Sequence, residues 1–234
     1  MTEAESGAMT GEGRDQAPDT AVFDVDGTLV DSNYQHAIAW YRAFRRFGMT
    51  LPIWRIHRHV GMGGDKIVAA LTDDEVESAH GDDLRTAHDE ELEPLLEEIA
   101  PLDGAHDLLA AMRERGLRVV LATSGKPHLV EHFVDLLGAR SIAEAWTSSG
   151  EVEETKPAPD LLERALAKVD GRHALLVGDS TWDAIAAGRA GLPCIAVHSG
   201  GFAVDELREA GAVAVFDSPR DLLDRLDETP FGRA

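Results

Sequence analysis

The stretch from Thr20 to Asn33 reads TAVFDVDGTLVDSN and carries three carboxylates, Asp24, Asp26 and Asp31, in or beside an apolar run. A strand that enters a core ends in acid only where something positive meets it, because an unpaired buried charge is costly. With a strand over residues 21–26, Asp24 and Asp26 point to one side and Val25 to the other, since strand side chains alternate. Gly27 and Thr28 then follow at the strand's carboxyl end, where open α/β sheets place their ligands. Two carboxylates side by side need a cation between them or a shared proton. A hard divalent cation that takes oxygen ligands, such as Mg2+, meets the first condition. The competing role for the same acids is to cap the turn or helix that follows.

Three more places carry residues of the same kind. In LATSG, Thr123 and Ser124 lie where a strand gives way to a loop and helix, and their hydroxyls and the backbone N–H groups make an anion cradle. Such residues are also ordinary helix caps. In ETKPAPD, Lys156 precedes two prolines that stiffen the backbone around Ala158, although a lone lysine is usually a surface residue. LLVGDSTWD ends a very apolar strand in Asp179 and adds Asp183 four residues on; the alternative there is an N-cap with a first-turn acid.

The elements that must position these residues are short β-rich runs alternating with amphipathic helical stretches. Strands are predicted at 21–26, 117–123, 143–149, 173–179, 193–199 and 212–216, and helical patterns such as AHDLLAAMRERG and PAPDLLERALAKVDG close on glycine. That alternation argues for an α/β fold, a doubly wound parallel sheet covered on both faces. Residues 32–100 break the rhythm: they are mostly helical and form an inserted small α-helical domain, with Pro101 and Gly104 at its return. The α/β core is therefore assigned to 20–31 and 101–234, and residues 1–19 to a disordered tail. The insertion is divided in charge, with six basic residues and one acid from Ser32 to Lys66, then twelve acids and one arginine from Asp73 to Glu98. The acidic block reads as a solvated helix face, whereas the basic block is a candidate for folding over an anion.

In chain order, DVDGT, Thr123, Lys156 and GDSTWD resemble the four signature motifs of the haloacid dehalogenase-like superfamily of phosphohydrolases. The resemblance covers nearly the whole chain from residue 20. It is nearest to the phosphoglycolate phosphatase and β-phosphoglucomutase branch, on DGTLVDSNYQH, KPAPD and GDSTWD. It implies a Rossmann-like core under a small helical cap, and a Mg2+-dependent phosphatase acting on a small phosphorylated metabolite, of phosphoglycolate or sugar-phosphate type. In such an enzyme Asp24 would attack phosphorus to form an aspartyl-phosphate, and Asp26 would protonate the leaving oxygen and then deprotonate water. Mg2+ would be held by the Asp24 carboxylate, the Asp26 backbone carbonyl and Asp179. Thr123 and Lys156, with Ser124 beside them, would bind the phosphoryl oxygens, and Asp183 would steady a metal-bound water or Lys156. An acid at position 26 also speaks against the dehalogenases and phosphonatases of the superfamily.

By the same resemblance His36 occupies the position of a histidine near the hinge in the mutase branch. The loop HVGMGGDK, which includes Gly63, Gly64 and Lys66, would reach down towards substrate, its glycines allowing close backbone approach. Trp40 and Trp54 are expected in the core of the helical insertion. The runner-up activity is a β-phosphoglucomutase-like phosphosugar mutase. Its phosphate-gripping arginine would fall within residues 61–66, where this chain has Gly-Met-Gly-Gly-Asp-Lys. A regulatory protein without turnover is a third reading, and the presence of Asp24, Asp26, Lys156 and Asp179 argues against it.

The whole-chain numbers narrow the partners. A formal net charge of -21 over 234 residues repels nucleic acid and anionic membrane, while a local cationic pocket still admits a small anion. No apolar run is long enough to span a bilayer and no charged-apolar-small leader is seen. A single cysteine, Cys194, fits a reducing compartment, so a cytoplasmic location is expected, with Cys194 as a buried strand residue.

Overall fold

The computed structural model describes residues 17–233, so most of the expected tail, residues 1–16, lies outside the described residues. Pro18 is already buried, and the Asp19 carboxylate accepts hydrogen bonds from the backbone N–H groups of Arg172 and His173. Residues just before Thr20 therefore already pack on the α/β part.

Six strands among the described residues form one sheet: β1 (Thr20–Phe23), β2 (Arg118–Ala122), β3 (Ala145–Thr147), β4 (Ala174–Gly178), β5 (Cys194–Val197) and β6 (Ala212–Phe216). Every pairing is parallel and the order is β3-β2-β1-β4-β5-β6. The chain builds outward from β1 to β3, then returns to lay β4 against the other side of β1. That reversal opens a crevice at the carboxyl ends of β1 and β4, the usual ligand site of such sheets.

Strands buried on both faces read as continuous apolar runs rather than alternating ones. Here Ala21 and Phe23 of β1 enter one hydrophobic cluster with α5 (Ala105–Glu114) and α6 (Pro127–Leu136), while Val22 enters the opposite one with α7 (Asp160–Val169) and α8 (Thr181–Arg189). The sheet is thus doubly wound, as the sequence predicts. Two shorter helices, α9 (Val204–Glu209) and α10 (Pro219–Asp224), complete the α/β part. The sixth strand has the predicted bounds and the other five are shorter than predicted; β1 stops at Phe23 and leaves Asp24 and Asp26 in the loop beyond. The chain turns at once there, with the N–H groups of Leu29 and Val30 both returning to the Val25 carbonyl. The α7 helix also departs from expectation: the left-handed residue that ends it is Asp170, at φ 53°, rather than Gly171.

Between β1 and α5 lie α1 (Asn33–Arg46), α2 (Ile53–His57), α3 (Gly64–Leu71) and α4 (Asp74–Leu92). They enclose a separate apolar cluster that includes Trp40, Phe44, Ile56, Ile67, Val68 and Leu84. Trp40 is in that core as expected, but Trp54 is 68% exposed on the short α2. Four cations of the basic block meet carboxylates of the chain. Arg46 lies 2.6 Å from Glu90 and Arg42 3.9 Å from Glu91, both acids on α4. Arg58 pairs with Glu206 of α9 at 2.5 Å, and Lys66 with Glu154 at 3.0 Å. No helix among the described residues is long and apolar enough to cross a membrane.

Candidate active site

What meets the acid at the end of β1 is Lys156. It is fully buried, and its ammonium is hydrogen-bonded to Oδ1 of Asp24 and lies 2.7 Å from Oδ1 of Asp183. It sits in the loop after β3, where the Lys156–Pro157 peptide bond is cis. Burial works to lower this lysine, and the Asp183 and Asp24 carboxylates outweigh it, so its pKa is raised and it stays charged.

Asp183 serves two purposes with its two oxygens. Oδ2 accepts from the Ser180 backbone N–H at 3.1 Å, while Ser180 Oγ accepts from the Asp183 N–H at 3.3 Å. This reciprocal capping starts α8, with Ser180 rather than Asp179 as N-cap. Oδ1 is left for Lys156. Asp179, at the end of β4, accepts from Asn33 Nδ2 at 2.8 Å and Thr28 Oγ1 at 3.0 Å. Gly27 makes this approach possible: it has φ +73°, and a Cβ there would lie 2.4 Å from Asp179 Oδ2.

The carboxylates of Asp24, Asp179 and Asp183 each bring an oxygen within 4.8 Å of the others. Burial pushes Asp24 well up, helped by its acidic neighbours and opposed by Lys156. Asp179 is pushed up to about 7 by burial and by Asp183. Three buried acids around one ammonium leave surplus negative charge among oxygen donors only. That donor set fits a hard divalent cation.

Asp26 stands apart from that cluster. Its Oδ1 accepts from Ser32 Oγ at 2.6 Å and lies 3.2 Å from His36 Nε2, and its Oδ2 accepts from Thr123 Oγ1 at 3.3 Å. Burial tends to raise Asp26, but the His36 ring and the Ser32 hydrogen bond overcome it and hold the carboxyl below its usual range. Although β1 ends at Phe23, Asp24 and Asp26 line the same cavity, and the Asp26 charge is near enough to help push Asp24 up.

From His36 the contacts continue. His36 Nδ1 lies 3.2 Å from His88 Nε2, His88 Nδ1 lies 3.3 Å from Asp89 Oδ1, and Asp89 Oδ2 accepts from Lys126. Burial, with His36 and Lys126 nearby, lowers His88 to about 4, so the imidazole is neutral. Trp40 stacks on it at 4.3 Å between ring centroids. This chain joins Asp26 to α1, then α4, then the loop after β2.

Asp24, Asp26, Thr123 and Ser124 line one cavity of about 260 Å³ that also includes His36, Gly64, Arg85, His88, Asp89 and Lys126. Thr123 is buried and Ser124 Oγ has no hydrogen-bond partner among the described residues. Gly63 packs against the core loop instead, its N–H donating to the Lys156 carbonyl at 3.2 Å. Lys66 does not line the cavity, and Asp31 is exposed. Arg85, His88, Asp89 and Lys126 were not legible as site residues. The signal for His88 is a histidine on the buried face of α4 with Gly81, Leu84, Ala87 and Leu92.

A family profile for haloacid dehalogenase-like hydrolases matches residues 18–191, which takes in β1, the helical insertion, Lys156 and Asp183. The chain belongs to the haloacid dehalogenase-like hydrolase family. A hydrolase from Pseudomonas syringae of known crystal structure is 34% identical, with a TM-score of 0.85 over 89% of this chain and 98% of that one. Validoxylamine A 7'-phosphate phosphatase of Streptomyces hygroscopicus subsp. limoneus is 25% identical over 75% of this chain and 83% of its own length. A phosphoglycolate phosphatase of Cupriavidus necator is 29% identical over 86% and 90%.

Proposed function

We propose that this enzyme, a phosphatase of the haloacid dehalogenase-like family, uses Mg2+ to hydrolyse the phosphate monoester of a small metabolite through an aspartyl-phosphate on Asp24. The observation that carries this reading is the buried Asp24–Lys156–Asp183 chain at the carboxyl ends of β1 and β4, with Asp24 lining a cavity that Thr123, Ser124 and Asp26 also wall. Two relatives named as phosphatases of different phosphate esters support the reaction type. The lone buried Cys194 fits a cytoplasmic setting.

The Asp24 carboxylate, the Asp26 backbone carbonyl and Asp179 would hold the cation, since the Asp26 carboxylate is committed to Ser32, His36 and Thr123. When bound, Mg2+ supplies positive charge to the phosphoryl oxygens. Lys156 grips one oxygen of Asp24, and the other attacks phosphorus. Lys156, Thr123 and the unpartnered Ser124 hydroxyl take oxygens over which negative charge spreads in the transition state. Asp26 hands its proton to the leaving oxygen and later takes one from water. The incoming phosphate dianion, a like charge, pushes Asp26 upward and so prepares it as the acid.

The test is Asp24→Asn. Turnover falls at least about a thousandfold while the circular dichroism spectrum is retained. Acid-quenched parental enzyme carries covalent phosphate and the variant does not. Near-parental activity in the variant would overturn the assignment. Isomerisation of β-glucose 1-phosphate with little phosphate released would assign the mutase reaction instead. Against that outcome, Gly64 faces the cavity without a cationic side chain and Lys66 is turned to Glu154.

A further inference from the structure

The cavity above Asp24 has two unlike halves. Its floor is the phosphoryl machinery, and its upper walls are apolar at Trp40, Val60, Met62, Ile67, Leu129 and Val152. Apart from the floor, its formally charged residues are Asp65, Asp89 and Glu153 against Arg85 and Lys126. Neither cation is unspent. Arg85 Nη2 lies 2.8 Å from Glu77 and 2.9 Å from Asp82, and Nη1 donates to the Gly64 carbonyl at 3.1 Å. The Lys126 ammonium is engaged by Asp89. His88, between them, is neutral.

A leaving group with a carboxylate or a second phosphate meets three acids there, and the two cations it could reach are already neutralised by carboxylates. In a partly enclosed site that repulsion is felt strongly. Hydroxyl groups face no such penalty: they donate to Asp65 or Glu153, accept from Arg85 or Lys126 beside their present partners, and their carbon skeleton covers the apolar walls. Resting on the phosphatase reading above, we infer that the leaving group is an uncharged polyhydroxyl alcohol, a sugar or polyol, and that the paired charges of the helical insertion and of the loop after β2 select against carboxylated and doubly phosphorylated substrates. On this inference phosphoglycolate is a poor substrate.

The experiment uses matched esters that differ only in a terminal CH2OH or carboxylate. One pair is hydroxyethyl phosphate and phosphoglycolate; the other is glycerol 3-phosphate and 3-phosphoglycerate. The neutral member of each pair is expected to have the larger kcat/KM by at least about tenfold, the factor that one charged contact supplies. Equal rates, or preference for the carboxylate in either pair, would overturn the inference while leaving the phosphatase reading intact. Failure on all four esters and on an activated aryl phosphate would overturn the phosphatase reading itself. The double variant Glu77→Gln, Asp82→Asn releases Arg85 from two partners, of which Asp82 is fully exposed and Glu77 partly so. It should raise kcat/KM for the carboxylated ester relative to its neutral partner by about tenfold. Asp89→Asn should do the same through Lys126. Unchanged ratios in both variants would sink the role given to these pairs.

Discussion

Asp26 accepts hydrogen bonds from two hydroxyls and contacts the His36 ring, and the other functions assigned to it depend on what those partners do to its proton. Replacement by Asn removes the proton donor but keeps the shape. The loss in kcat/KM should be at least about tenfold greater on glycerol 3-phosphate than on p-nitrophenyl phosphate, whose leaving oxygen needs little protonation. Equal losses on the two esters would remove Asp26 as the acid. His88 makes a different prediction. Its folded-state pKa of about 4 lies below the unfolded value of 6.5, so between these pH values the unfolded chain binds more protons. Stability is therefore full above pH 6.5 and is lost as pH falls towards 4, by about 3 kcal/mol for the full shift. His88→Gln should flatten that part of the urea-denaturation profile, and an unchanged slope would show that other groups cause it. Asp24, Asp26, Lys156 and Asp179 were legible from sequence because each either follows an apolar strand or, for Lys156, precedes a Pro-stiffened stretch. His88 was not, because the partner that gives it meaning is His36, 52 residues away on another helix.

At the level of elements, strand–helix alternation was enough to read the parallel sheet and the helical insertion, since both faces of the sheet are covered and its strands are mostly apolar. Strand ends were not, because an apolar run does not record where the chain turns. That difference falls at β1, which ends three residues short of Asp26, so Asp24 and Asp26 reach their shared cavity from the loop rather than from the strand. The seating of the insertion on the core was also hidden, as it depends on Gly63 meeting Thr155 across 92 residues of chain. A Cβ at Gly63 would lie 1.4 Å from Thr155 Oγ1 and 2.4 Å from Thr155 Cβ. Thr155 is itself buried and tied to Asp65, so it has little room to give. Gly63→Ala should therefore lift α3 and its loop away from the core. We expect kcat/KM on the preferred alkyl ester to fall by up to about a hundredfold, with helix content preserved. A variant with parental kinetics would show that this contact does not set the active-site geometry.

For the molecule as a whole, the negative charge is both a barrier and a reservoir. A net charge of -21 disfavours approach of an anionic ester, and the site answers with one buried lysine among three acids. Without a cation that arrangement destabilises the folded chain, because burial holds Asp24 and Asp179 against ionisation. A cation that binds only the folded form adds about 2.7 kcal/mol at roughly a hundredfold excess over its Kd. For a chain of this size that raises the unfolding midpoint by roughly 5–10 °C. Chelation should therefore lower the midpoint and abolish turnover, and Mg2+ should restore both. Ca2+ should separate the two readouts. It neutralises the same acids and restores the midpoint, yet its larger radius and looser coordination spoil the in-line geometry that attack by Asp24 requires. Thermal scans and phosphate release measured on the same samples check this directly. Full turnover in excess chelator would take the metal out of the mechanism, and equal turnover with Ca2+ would show that charge alone, without tight geometry, is what the site needs.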